Sequence, residues 1–227
     1  MRRFPLMIFA AGLGTRMGPL TADRPKPLIP VAGRALIDHA LDHAAGAGRV
    51  VVNTHYRAEM LAAHLAQRDV TLSHEPDILE TGGGLKAALP MLGPGPVMTL
   101  NSDAVWTGEN PLTQLAGAWD DRMEALLLLL PADQATGFCG TGDFLIDGEG
   151  RLSRANGAAG VAYLGAQILR TEALAKIADR KFSLNRVWDG MIARGGAHGL
   201  IHRGGWCDVG RPETIVRAEA LLAGRDV

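Results

Sequence analysis

Apolar positions in this chain come in short, nearly unbroken runs, separated by longer stretches in which they recur every three or four residues. The runs lie at 4–9, 50–53, 97–100, 125–130 and 161–169. A short run that is apolar throughout describes a strand buried on both faces, whereas three-four spacing describes a helix laid against a core. The spacing predicts helices over 35–45, 58–67, 112–119, 171–178, 184–193 and 212–222, a further strand over 70–73, and a short helix over 83–89 stopped by Pro90. Residues 144–152, centred on Asp147-Gly148-Glu149-Gly150, predict a hairpin. Strands and helices in alternation argue an α/β class, with a parallel sheet covered on both faces and a mixed later part. No internal repeat, linker or low-complexity tract interrupts the pattern, so one domain over 1–227 is expected.

Composition narrows the class further. The 227 residues suffice for a substantial core, and 23 Lys and Arg against 24 Asp and Glu leave no broad field for nucleic acid or a membrane surface. Two cysteines, Cys139 and Cys207, cannot build a disulfide framework and fit a reducing, cytoplasmic setting. No apolar run reaches the length of a membrane span. Arg2-Arg3 ahead of the first apolar run imitates a leader, but cleavage there would cut into the loop that follows, so a leader is not expected.

That loop carries the chemistry. The first strand runs into Ala10-Ala11-Gly12-Leu13-Gly14-Thr15-Arg16-Met17, and after a short gap comes Arg24-Pro25-Lys26-Pro27-Leu28. Bare backbone at the carboxyl end of a strand, followed by fixed cations, describes a phosphate site: successive N–H groups cradle the anion and Arg or Lys supplies full charge. Two common versions are excluded. A dinucleotide fingerprint needs Gly where Met17 stands, and a P-loop needs a Gly-Lys-Ser/Thr sequence that Lys26-Pro27 lacks. The prolines at 19, 25, 27 and 30 also forbid an immediate crossover helix. Gly12, Leu13, Gly14 and Thr15 are therefore candidate nucleotide contacts through backbone, with Gly12 and Gly14 readable equally as plain turn glycines. Arg16 offers a planar fork to phosphate oxygens and Lys26 a compact point charge.

This segment resembles the activating loop of sugar nucleotidyltransferases, which join a sugar 1-phosphate to a nucleoside triphosphate and release pyrophosphate. Leu79-Glu80-Thr81-Gly82-Gly83-Gly84-Leu85 resembles their base-contacting turn, Leu100-Asn101-Ser102-Asp103 the strand end bearing a metal-binding aspartate, and Trp206-Cys207-Asp208-Val209-Gly210-Arg211-Pro212-Glu213 the motif bearing the second. The Glu-Thr-Gly-Gly-Gly form and the short length are most similar to the N-acetylmuramate-1-phosphate uridylyltransferases of cell-wall recycling. The resemblance implies a Rossmann-like three-layer sandwich with a mixed, mainly parallel central sheet of the nucleotide-diphospho-sugar transferase type. It also implies a nucleotide-binding part over about 1–110, a sugar-binding part over about 111–227, and no appended left-handed β-helix, in keeping with the missing hexapeptide repeat. Its chemistry brings two anions together, so it asks for charge neutralisation and positioning, and a Mg²⁺ held by one or two carboxylates suits it. Arg16, Lys26 and Asp103 are the implied catalytic groups, Asp103 and Asp208 the implied metal ligands, and Glu80, Thr81 and Gly82 the implied base contacts.

Glu80 accepts equally from uracil N3–H and from guanine N1–H and N2–H, so residue type does not separate UTP from GTP. The sugar end departs from the wider family. Leu152-Ser153-Arg154-Ala155-Asn156 stands where many relatives carry Glu-Lys-Pro, leaving Arg154, Arg186 or Arg211 to meet the sugar phosphate. Tyr163-Leu164-Gly165 replaces Asn-x-Gly, and Gly142-Asp143-Phe144 resembles the short subgroup, which makes Tyr163 and Asp143 the candidate sugar contacts. The scattered histidines lack zinc-site spacing, Trp188 reads as core or site wall, and Cys207 as a buried filler. The alternatives are a mannose- or heptose-1-phosphate guanylyltransferase and a catalytically silent nucleotide-sugar sensor. Arg16, Lys26, Asp103 and Asp208 standing together argue against the sensor. The expected partners are the triphosphate and the sugar 1-phosphate, with no nucleic acid or membrane, in a monomer or small homo-oligomer.

Overall fold

In the computed structural model, which describes residues 2–225, the apolar runs become strands of one sheet. Strand β1 (Leu6–Phe9) leads through two 3-10 turns, Thr15–Thr21 and Lys26–Leu28, into a small ribbon of β2 (Pro30–Val31) and β3 (Arg34–Ala35), then helix α1 (Leu36–Asp42). Next come β4 (Val50–Thr54), α2 (Ala58–Leu65), β5 (Thr71–His74), α3 (Glu80–Leu92) and β6 (Val97–Asn101). Then follow β7 (Ala104–Trp106), α4 (Pro111–Ala118), β8 (Ala125–Pro131), the hairpin of β9 (Phe144–Ile146) and β10 (Leu152–Arg154), and β11 (Val161–Leu169). The chain closes with α5 (Glu172–Ala175), α6 (Asn185–Ala193), β12 (Ala197–Ile201), β13 (Trp206–Asp208) and α7 (Pro212–Leu222).

Nine strands form the main sheet in the order β10-β9-β11-β6-β1-β4-β5, with β8 added on β11 and β12 on β8. Pairs β6/β1, β1/β4, β4/β5 and β8/β12 are parallel, while β11 runs antiparallel to β6, β8 and β9. Successive side chains of a strand point to opposite faces, so each apolar run feeds two cores. Leu6, Ile8, Leu126, Leu128 and Leu130 pack on one face against α1, α2 and α4. Met7, Leu127 and Leu129 pack on the other against α3, α5 and α6. This double covering is the reason 125–130 carries no polar position. The result is a three-layer α/β sandwich with a mixed, mainly parallel sheet. No helix among the described residues is long and apolar enough to cross a membrane.

The expected elements need three corrections. Helix α3 begins at Glu80 and passes through Pro90 to Leu92, ending at Gly93 with φ +88°. Pro90 lies in the last turn, where one missing N–H is tolerated because buried Leu85, Ala88 and Leu92 hold the helix down. The helix expected over 171–178 shortens to α5. Strands β7 and β12 carry no period long enough to be read from sequence. β7 pairs with β13, about a hundred residues away, as a separate ribbon over a third apolar cluster that includes Met17, Val105, Cys207 and Val209.

Candidate active site

Strands β1 and β6 are parallel neighbours, and their carboxyl ends open into one cleft. The cleft is lined by Ala10, Ala11 and Gly12 after β1, by Lys26, by Asn101, Ser102 and Asp103 after β6, and by Asn53, Glu75, Glu80 and Thr81. Ser102 binds the end of β1 to β6, since both its N–H and its Oγ donate to the Phe9 carbonyl, at 3.2 and 2.7 Å. Gly14 has φ +66°, and a Cβ there would lie 2.8 Å from Lys26 Cβ, so glycine is required both by the backbone and by the lysine beside it. Lys26 passes over this point and donates to Asp103 Oδ2 at 2.7 Å, its side chain only 11 % exposed. Leu13 and Thr15 border a neighbouring depression with Thr21 and Tyr56 rather than the cleft itself. Tyr56 and Arg57 donate to the carbonyls of Thr21 and Ala22 and anchor the far end of that segment.

The β7/β13 ribbon brings the two aspartates together. Asp208 stands opposite Ala104, and the Val209 N–H donates to the Asp103 carbonyl at 2.8 Å. Burial, and next the charge of Asp103, push the Asp208 carboxyl up to about 6, against the pull of Lys26, Arg16 and Arg211. A Cβ on Gly210 would lie 2.5 Å from Asp208 Oδ2 and 3.3 Å from both terminal nitrogens of Arg16. Glycine at that position lets the carboxylate and the guanidinium occupy the same corner. Among the described residues no group of three or more acidic, His or Cys side chains converges as a metal cage. Asp103 and Asp208 are the two carboxylates brought together here.

The turn expected around Glu80 is the first turn of α3. Glu80 itself holds φ +60°, a left-handed conformation costly for a residue with a side chain. Thr81 lines the cleft, and its Oγ1 accepts from the Leu184 N–H at 3.0 Å. Gly82 does not reach the cleft. Its N–H, like that of Gly83, donates to the Phe182 carbonyl, and a Cβ would meet the Phe182 ring at 2.4 Å. At Gly83 a Cβ would meet the Arg180 carbonyl at 2.3 Å, so these glycines serve the packing of the 180–182 segment.

Asp143 and Tyr163 lie outside this cleft and engage each other. Asp143 Oδ2 accepts from the Tyr163 N–H at 2.9 Å. The Tyr163 ring packs edge-on against Trp188, with centroids 4.9 Å apart, and burial raises its phenol well above the ordinary tyrosine range. Of the three arginines, Arg154 is bound to Asp189 at 2.8 Å and stacked over Phe144, and Arg186 is paired with Asp179. Arg211 lies close enough to Asp208 to lower its carboxyl. Asn53 and Glu75 entered the site without being singled out in the sequence, where Asn101 and Ser102 stood only as neighbours of Asp103 in one motif. Each follows or ends a parallel strand at its carboxyl edge, which is the signal that could have found them. Asn101 is seated by Gly165, whose φ is +84° and whose Cβ would lie 2.7 Å from the Asn101 amide, at the irregularity where β11 shifts register against β8.

Residues 6–173 match the MobA-like NTP transferase domain. The chain is 42% identical over 232 aligned residues, 96% of each chain, to the N-acetylmuramate α-1-phosphate uridylyltransferase of Caulobacter vibrioides. It is 32% identical to the enzyme of the same name from Neisseria meningitidis, over 95% of this chain and 96% of that one. The crystal structure of HddC from Yersinia pseudotuberculosis, complexed with GMP-PN, shares the fold with a TM-score of 0.76 at 21% identity, over 95% of this chain and 98% of that one.

Proposed function

The chain belongs to the MobA-like NTP transferase domain family and is a sugar-1-phosphate nucleotidyltransferase, and from that premise we propose that it joins UTP to N-acetylmuramate 1-phosphate. The products are UDP-N-acetylmuramate and pyrophosphate, and the setting is cytoplasmic recycling of cell-wall sugar. The observation that carries the substrate pair is that two relatives, matched over nearly their whole lengths, share that activity.

In this reaction an oxygen of the sugar phosphate attacks the α-phosphorus in line, and the bond to the β-phosphate breaks. Both reactants are anions, so the chain must supply alignment and charge. Backbone from Ala10 to Gly12 faces the cleft and receives the triphosphate, with Lys26 and Arg16 as its cations. Asp103 and Asp208 fit a Mg²⁺: they form a partly buried carboxylate pair in which burial, and next mutual repulsion, raise Asp208, and a divalent ion relieves that repulsion. When bound there, Mg²⁺ supplies neutralisation of phosphate charge. Without it, Lys26 is the cation that offsets Asp103. Glu80 and Thr81 form the base side of the cleft. Arg211 is assigned to the sugar phosphate, because Arg154 and Arg186 are already held by aspartates. Asp143 and Tyr163 form a wall of the sugar site, ordered by their mutual hydrogen bond.

The test is pyrophosphate release with Mg²⁺ over UTP, GTP, dTTP and CTP against the 1-phosphates of N-acetylmuramate, N-acetylglucosamine, glucose and mannose. Dominant turnover of UTP with N-acetylmuramate 1-phosphate is expected. Dominant turnover of GTP with mannose 1-phosphate would keep the mechanism and overturn the substrate assignment.

A further inference from the structure

A buried carboxylate without a cation stands in the wall of the cleft. Glu75 directly follows β5 and is 1% exposed. No Lys, Arg or His forms an ion pair with it among the described residues. Burying such a group costs free energy unless its oxygens are bonded, and an apolar side chain would fill the space with less penalty. Both oxygens are in use. Oε1 accepts from Asn53 Nδ2 at 2.7 Å, and Oε2 accepts from the Leu79 N–H at 3.0 Å. Asn53, 3% exposed, in turn accepts at Oδ1 from the Ala10 N–H at 2.6 Å. A backbone N–H can only donate, which fixes the orientation of the Asn53 amide and leaves its NH₂ facing Glu75. Three hydrogen bonds thus run without a break from the phosphate loop to the residue that precedes the left-handed Glu80.

The third glycine of the 82–84 run completes the arrangement. A Cβ on Gly84 would lie 2.6 Å from Glu75 Oε1 and 3.1 Å from Asn53 Nδ2. Any other residue would push the two side chains apart. Strain such as that at Glu80 persists only where its surroundings over-determine it. The bond from Leu79 to Glu75 is one such restraint.

We propose that Asn53 and Glu75 are positioning residues, a tie that sets the base-side turn Leu79–Thr81 in register with the phosphate loop so that one nucleotide can span both. The inference rests on the reading of this cleft as the nucleoside triphosphate site. It assigns no contact with the nucleotide to either side chain. Its signature is a loss confined to ligands that bridge the two ends.

The experiment is isothermal titration of UTP, of GTP and of inorganic pyrophosphate into the wild-type chain, Glu75→Gln, Asn53→Asp and the double variant, with melting curves for each. Glu75→Gln sets an amide NH₂ against either the Asn53 NH₂ or the Leu79 N–H, and Asn53→Asp sets carboxylate against carboxylate. The double variant restores every donor–acceptor pair with the roles exchanged. Each single change is expected to weaken UTP binding roughly 10- to 100-fold, the worth of one charge-assisted hydrogen bond. Pyrophosphate affinity is expected to stay within about twofold of wild type, and the double variant to recover UTP affinity to within about threefold. Where a single variant does not fold, recovery in the double variant decides alone. Single variants that bind UTP as wild type does, a loss shared equally by pyrophosphate, or a double variant without recovery would overturn the tie. A wild-type chain that binds pyrophosphate but no nucleoside triphosphate would overturn the functional reading, and the tie with it.

Discussion

Lys26→Met separates the catalytic work proposed for Lys26 from its part in holding the fold. The substitution keeps the length of the apolar stem and removes only the ammonium, which sits 2.7 Å from Asp103 Oδ2 with the side chain 11% exposed. Two unit charges about 4 Å apart interact by about 4 kcal/mol at an effective dielectric near 20, the value suited to a half-open cleft. Removing one preorganised donor from a site of developing charge costs about 2.7–4 kcal/mol, or roughly 10²–10³ in rate. The expected fall in kcat/KM for UTP is therefore about two to three orders of magnitude. The stability term is much smaller. The Asp103 side chain is 30% exposed, so water replaces much of what Lys26 gave it, and the loss is at most about 1 kcal/mol. For a chain of this length that lowers Tm by less than about 4 °C. Initial rates of pyrophosphate release at subsaturating UTP, taken beside a thermal melt, measure both. A folded Lys26→Met chain with kcat/KM within about threefold of wild type would refute the charge argument, because no structural role of the lysine compensates a lost cation.

Three further outcomes follow from the geometry. Asp103→Asn is expected to abolish turnover while UTP binding survives, measured by pyrophosphate release and titration; undiminished turnover with Mg²⁺ would remove Asp103 from the metal pair. Gly14→Ala must adopt φ +66° and meets Lys26 Cβ at 2.8 Å, so a loss of about 1–2 kcal/mol, seen as a Tm lower by roughly 2–8 °C, is expected together with a reduced kcat. His202 is buried, its Nδ1 facing the Gln114 amide at 2.9 Å, and burial lowers its pKa below 6.5. The folded chain then takes up this proton less readily than the unfolded chain. Its contribution to stability is complete above about pH 6.5 and is lost as pH falls from there toward the folded value. The Tm of wild type should drop more steeply than that of His202→Gln between about pH 7 and 5; parallel curves would contradict this.

Glycine shows how a motif can be visible while its physics is not. Gly82-Gly83-Gly84 stands out in the sequence as a likeness to a base-contacting turn. In the fold, the first two glycines admit the Phe182 ring and the Arg180 carbonyl, and the third admits Glu75. The contact with the cleft passes to Glu80 and Thr81. Nothing local distinguishes a glycine that bares its backbone to a ligand from one that makes room for a neighbour a hundred residues away. Pro90 errs in the other direction. Read locally it ends a helix, yet the burial of Leu92 carries α3 past it.

The sequence by itself determined the alternation of strands and helices, the doubly covered sheet, and the small-residue loop after β1 with Lys26 beside it. These depend on periodicity and on backbone chemistry within a few residues, which local order expresses directly. Only the tertiary structure decided that β7 pairs with β13, which sets Asp208 beside Asp103, and that Arg211 rather than Arg154 or Arg186 lies near that pair. It also decided that Asn53 and Glu75 join the loop after β1 to the first turn of α3. Apart from Glu75 with Leu79 and Arg211 with Asp208, which are 4 and about three positions apart, those contacts link residues from 22 to about a hundred positions apart. Their energy is gained only once both apolar faces of the sheet are buried, so no window of sequence contains it.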